Sequence, residues 1–146
     1  MVISEILNKW MEERKAVLLD KYESSGRKAS GKFGSSIAIT TTENNSKMTG
    51  SKHVWYMVNG RNPTSSGKRM PVSVIQQWID DKGLDLNAWA VARHIDKFGI
   101  KVPNANNDGR LLKDTFTPES IKQLGKELSR NFIMDIKSNI QKAWQQ

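Results

Sequence analysis

From Trp55 to Gly83 the chain reads WYMVNGRNPTSSGKRMPVSVIQQWIDDKG, and everything else has to be arranged in support of this stretch. His53 to Asn59 is rich in aromatic and β-branched residues and stops at Gly60, which predicts a half-buried strand entering a turn that needs positive φ. Pro63 and Pro71 fence a basic loop, and Pro71 stands where a helix begins, because its missing N–H is one that the first turn leaves unpaired. That helix is expected to run to about Lys82. Val72, Ile75, Trp78 and Ile79 recur on one face, Gln76, Gln77, Asp80 and Asp81 on the other, and Gly83 supplies the stop. Trp78 is the expected central anchor of the core.

At 146 residues the chain has room for one domain, residues 1–146, with one core. It has no cysteine, which removes disulfides, thiolate nucleophiles and Cys-ligated zinc. No apolar run approaches membrane-spanning length, and the glutamate-containing start MVISEILNKWMEERK reads as part of the fold rather than a secretory signal. The formal charge is +8, and residues 24–69 hold most of the excess. There Arg27, Lys28, Lys32, Lys47, Lys52, Arg61, Lys68 and Arg69 stand against Glu43 alone. Such a segment is either a solubilising surface or a patch that faces a polyanion.

In chain order, Ser4 is an expected N-cap of a helix running to about Tyr22, with Ile3, Ile6, Leu7, Trp10, Val17 and Leu18 at three-to-four spacing. The Gly-, Ser- and Lys-rich SSGRKASGKFGSS that follows predicts a loop. Ser36 to Glu43 alternates as a strand, and Asn44 to Gly50 predicts an open hairpin that pairs it with His53 to Asn59. Two strands alone are marginal, so a third is expected from the loop edges or Arg110 to Phe116, unless helices cover the exposed face. Asn87 caps a second short helix ending at Phe98, with Ala88, Val91, Ala92 and Ile95 buried. Lys101 to Gly109 is another loop, and Thr117 caps a long helix that starts at Pro118. Its stripe, Ile121, Leu124, Leu128, Phe132, Ile136, Ile140 and Ala143, is longer than so small a core needs, so either a neighbouring chain or the first helix covers the remainder. The expected class is α+β: a small antiparallel sheet packed with two short helices and longer N- and C-terminal helices.

Catalytic chemistry finds few candidates. His53 and His94 have no carboxylate or second histidine at metal-ligand spacing, and Asp80 and Asp81 are about 100° apart on their helix. GRNPTSSGKR lacks the spacing of a phosphate-cradling loop. The expectation is no enzyme, no metal and no cofactor. The rival reading, a basic nucleic-acid-binding protein with a helix-turn-helix-like pair at 72–98, meets a misplaced charge, because Asn87 to Phe98 exposes only Arg93 and Lys97, with Asp96 beside them.

The order of these pieces resembles the small head-to-tail joining, or tail-completion and neck, proteins of tailed bacteriophages. The resemblance rests on an aromatic segment with Tyr56 that ends in Gly60 and Arg61, and on the loop between Pro63 and Pro71. It continues in the pattern P-x-x-x-I-x-x-W-I-x-x-K-G, filled by Pro71, Ile75, Trp78, Ile79, Lys82 and Gly83. NAWAVARHIDKFGI, a Leu-Leu-x-x-x-Phe segment and one long helix follow, so the likeness spans roughly residues 30–146. Asn59 stands where the family has an acidic residue. The resemblance implies a non-enzymatic virion protein, made in the cytoplasm of the bacterial host, that forms a homo-oligomeric ring in the neck between portal and tail. There it lines or seals the DNA channel against portal, neck or tail proteins, with no membrane involved. A ring needs a heterologous interface, expected on the strand edge and the long C-terminal helix. Arg27, Lys28, Lys32, Lys68 and Arg69 then become the expected contacts, either to DNA held weakly and without sequence preference or to a neighbouring subunit.

Overall fold

The structure is a computed structural model that describes residues 3–26, 30–65 and 67–145. Helix α1 (Ile3–Ser24) is followed by a short α2 (Lys32–Ser36), a hairpin of β1 (Ala38–Thr42) and β2 (Asn45–Thr49), and α3 (His53–Asn59). Next come α4 (Val72–Lys82), α5 (Ala88–Phe98), α6 (Leu111–Thr115) and α7 (Pro118–Trp144). The class is α+β: a two-stranded antiparallel sheet with several helices, the longest at the two ends of the chain.

Several caps are where side-chain chemistry puts them. Asn87 accepts from the Ala90 N–H at 3.0 Å, and Thr117 accepts from the Ser120 N–H at 3.2 Å with Pro118 next to it. Gly83 ends α4 in the left-handed region (φ 63°), and the Leu84 N–H reaches back to the Ile79 carbonyl. Pro71 precedes the first helical residue rather than occupying it. Ser4 is not a cap, since α1 already includes Ile3.

The structure departs from the expected elements in the middle of the chain and keeps one of the alternatives for covering the sheet, a helix. His53–Asn59 is a helix, not a strand. Its half-buried residues, Val54, Met57 and Val58, recur at a helical interval, while Trp55, Tyr56 and Asn59 face out. Composition favoured a strand, and period overrode it. With that partner gone, β1 pairs with β2 across a turn at Glu43 and Asn44, from Thr42 opposite Asn45 to Ala38 opposite Thr49. Arg110–Phe116 supplies no third strand but the helix α6, so α1 covers the hairpin instead. Thr41 fixes that contact, donating to Asn8 Oδ1 on α1 at 3.0 Å and lying 2.8 Å from the Ser46 hydroxyl. Within the expected loop after α1, Phe33 on α2 is buried against Tyr22, with ring centroids 4.6 Å apart.

The apolar interior falls into two clusters. Leu18, Tyr22, Phe33, Ile37 and Leu111 form the first, flanked by Met48, Val54 and Met57. Ile75, Ile79, Ala88 and Ala92 form the second, between α4 and α5. Trp78 is not its anchor: the indole is 38% exposed. Ile75 and Ile79, four residues apart, face Ala88 and Ala92 of α5, whereas Trp78 lies with Val74 on the neighbouring face of α4, along the groove.

Helix α1 also binds the start of α7. The Trp10 indole donates to the Ser120 carbonyl at 3.1 Å, and Arg14 donates to the Thr115 carbonyl at 3.3 Å. Ser120 is on α7 and Thr115 ends α6, so these bonds tie α1 to the corner between α6 and α7. Helix α7 continues for about 36 Å beyond Ser120. Its far half is uncovered: beyond Asn131, Phe132, Ile133, Met134, Ile136 and Ile140 are exposed, and Trp144 is 86% exposed.

Candidate functional site

The two ends of the segment that holds the basic loop and the α4–α5 pair meet at one point. There Arg61 and Ile100 exchange both backbone hydrogen bonds, at 2.9 and 2.7 Å. Gly60 (φ 74°) and Gly99 (φ 68°) precede them. A Cβ on Gly60 would overlap the Ile100 carbonyl oxygen, and one on Gly99 would overlap the Arg61 carbonyl oxygen. The turn expected at Gly60 thus has positive φ as predicted, though it follows a helix.

A second tie holds the loop between Pro63 and Pro71 onto α5. Asp96 Oδ1 accepts from the Thr64 hydroxyl at 2.6 Å and from the Met70 N–H at 2.8 Å, with the Arg61 guanidinium 4.0 Å away. The Thr64 N–H also donates to the Asp96 backbone carbonyl at 2.8 Å. These bonds, the Thr64 hydroxyl first and the Met70 amide second, hold the Asp96 carboxyl below the ordinary carboxylate range, with Arg61 and Arg69 adding to the effect. Sequence reasoning placed Asp96 only as a partial counter-charge on α5. No sequence signal marks it, because its partners lie 26 and 32 residues away.

Asp96→Ala, which removes the acceptor, is expected to free the loop while leaving the α4–α5 cluster packed, read as faster hydrogen exchange at the Thr64 and Met70 amides with α4 protection unchanged. Because the folded pKa is depressed, the tie is complete above the unfolded carboxylate value and is lost as pH falls through the folded one. Wild-type loop exchange should therefore rise only below about pH 4.

Among the expected contact residues, Lys32 opens α2 and lines an open groove, while Lys68 and Arg69 lie exposed on the tied loop. Arg27 and Lys28 fall outside the described residues. Of the motif residues, Ile75 and Ile79 are buried, Gly60 and Arg61 build the junction, and Tyr56 faces outward on α3. The groove, of ≈ 310 Å³, runs between Lys32 and His53 on one side and Val74, Trp78 and Asp81 of α4 on the other. His94 stacks on Phe98 at 4.7 Å, and Lys97 lies over the same ring. Among the described residues no three His, Asp or Glu side chains are grouped to hold a metal, and no helix is long and apolar enough to cross a membrane.

Several elements present more than one large apolar side chain outward. Besides the α7 overhang, Trp55 and Tyr56 on α3, Val74 and Trp78 on α4, Leu84 and Leu86 after it, and Trp89 and Phe98 on α5 are all exposed. Single exposed hydrophobic residues need no explanation, but several on one element indicate a surface that meets a partner. No family model, curated protein or solved structure matches the chain.

Proposed function

We propose that this chain is a non-enzymatic structural protein of a tailed-phage virion, forming a ring in the neck between portal and tail and lining or sealing the DNA channel. The observation that carries the reading is the uncovered apolar half of α7, a feature of a subunit whose burial is completed by a neighbour. The ordered motif from Tyr56 to Gly83 supports it through the family it resembles. The helix-turn-helix alternative is less well supported, because the outward side chains of α5 include Trp89 and Phe98, which suit apolar contact better than a DNA groove.

Peptide mass spectrometry of purified particles, followed by imaging of the neck, tests the proposal: the chain is expected in mature virions at the head–tail junction, and its absence from particles rules the reading out. In the channel, lumen-facing loops need cations that tolerate passing DNA without gripping it. Replacing Arg27, Lys28, Lys32, Lys68 and Arg69 together by Gln is expected to abolish the weak, salt-sensitive, sequence-independent DNA binding of the isolated protein. Particles that assemble but retain DNA poorly place these loops at the lumen; failed assembly assigns them to a neighbouring subunit.

A further inference from the structure

The strand edge is a poor candidate for the contact between copies. The outward side chains of the hairpin are Ala38, Thr40, Thr42, Asn45, Lys47 and Thr49, which offer little apolar area. Two other surfaces carry that area, and they differ in charge.

The first is the overhang of α7. Ile133, Ile136, Ile140 and Ala143 follow one another at intervals of three, four and three, a seam of coiled-coil type, and Phe132 and Trp144 widen it. Arg130 and Lys137 lie along one flank, and from Ser129 onward three cations stand against Asp135 alone. The second is the outer face of α4. Val74 and Trp78 are one turn apart, with Asp81 a turn further along the same wall of the groove. At the end of the helix the segment from Asp80 to Leu86 adds exposed Leu84 and Leu86, and it holds Asp80, Asp81 and Asp85 against Lys82. The Lys82 ammonium is directed to the Gly26 carbonyl. Asp80 and Asp81 each accept one hydrogen bond from a glutamine four residues earlier, at 2.9 and 3.0 Å, and a carboxylate can accept several more.

We infer that the far half of α7 from one copy lies along the outer face of α4 in the next copy, its isoleucine seam on Val74, Trp78 and Leu84, with Arg130 and Lys137 toward Asp81 and Asp85. This inference rests on the ring reading for its heterologous, head-to-tail character. Charge selects the pairing. Two α7 overhangs packed antiparallel in a symmetric dimer would set Lys137 against its own copy, whereas α4 offers carboxylates at the border of an apolar face. Within one chain α4 packs on α5 and faces Lys32 and His53 across the open groove, yet Val74 and Trp78 stay 51% and 38% exposed, as does the far half of α7, so both surfaces can be reached by a neighbour.

Complementation tests the pairing. Ile136→Glu with Ile140→Glu disables the α7 surface, and Val74→Lys with Asp81→Lys disables the α4 surface; all four side chains are exposed, and thermal melting checks that each variant folds. In sedimentation at millimolar concentration the wild-type chain is expected to associate beyond the dimer, toward a closed ring. Each variant alone should associate at least about tenfold more weakly, a loss of about 1.4 kcal/mol. Their equimolar mixture should form dimers that grow no further, because only one intact interface can be assembled from the two. The pairing is overturned if the wild type stays monomeric, if the α4 variant alone associates as well as the wild type, or if the mixture fails to dimerise. Any of these leaves the virion location to be decided on particles, and absence from particles beside a successful mixture overturns the neck reading but not the interface.

Discussion

Gly60→Ala and Gly99→Ala should each destabilise the protein more than any other glycine-to-alanine change in the described chain. Both residues have positive φ, which costs a residue with a Cβ about 1–3 kcal/mol by itself. Both also place the missing Cβ inside a backbone carbonyl oxygen across the Arg61–Ile100 junction. Backbone cannot move aside as a side chain can, so relief requires opening the two hydrogen bonds that close the junction. Gly83→Ala is the control. Its φ is also positive, but with ψ 38° it lies in the left-handed helical region, whereas Gly60 and Gly99, with ψ −164°, lie in a region essentially confined to glycine. Nothing lies within 4 Å of the added carbon at Gly83, so only the left-handed cost of about 1–2 kcal/mol applies there. Denaturant midpoints of the three variants check the order. Equal midpoints for Gly60→Ala and Gly83→Ala would show that the close approach contributes nothing.

The second expectation inverts what the sequence suggests for α4. Ile79→Ala should cost about 2–5 kcal/mol, because Ile79 is 3% exposed and its removal opens a cavity against Ala88 and Ala92, which are too small to fill it. That is a large share of a margin of about 5–15 kcal/mol. Trp78→Ala, which removes a much larger side chain, should cost only about 1 kcal/mol, since the indole lies at the rim of the cluster. Unfolding of both variants under one set of conditions decides it. A larger loss for Trp78 would return the indole to the role of anchor.

The contrast shows what was legible. Helix ends governed by local chemistry were readable one by one: Asn87 and Thr117 as caps, Gly83 and Gly99 as stops, and the α5 stripe of Ala88, Val91, Ala92 and Ile95. Such signals work within four residues of their effect, and so survive without knowledge of the fold. Trp78 failed because a helical stripe gives a direction and not a depth, and depth is set by α5. His53–Asn59 failed because aromatic and β-branched content outweighed the spacing of Val54, Met57 and Val58 over only seven residues. For the candidate surfaces, the excess length of α7 was readable from its stripe. Where cover stops was not, because that depends on the long-range bonds of Trp10 and Arg14.

The Arg61–Ile100 junction has a bearing on how such a chain can vary. Roughly forty residues lie between Arg61 and Ile100, whose two hydrogen bonds pair the ends of the segment, and the entropy of closing a chain segment grows only with the logarithm of its length. Doubling the excursion would cost only about 0.6 kcal/mol. Between Thr64 and Met70, the two residues tied to Asp96, the loop can lengthen at little entropic cost to the body. The outer end of the molecule can be refitted to a different neighbour while α1, the hairpin and α7 stay as they are.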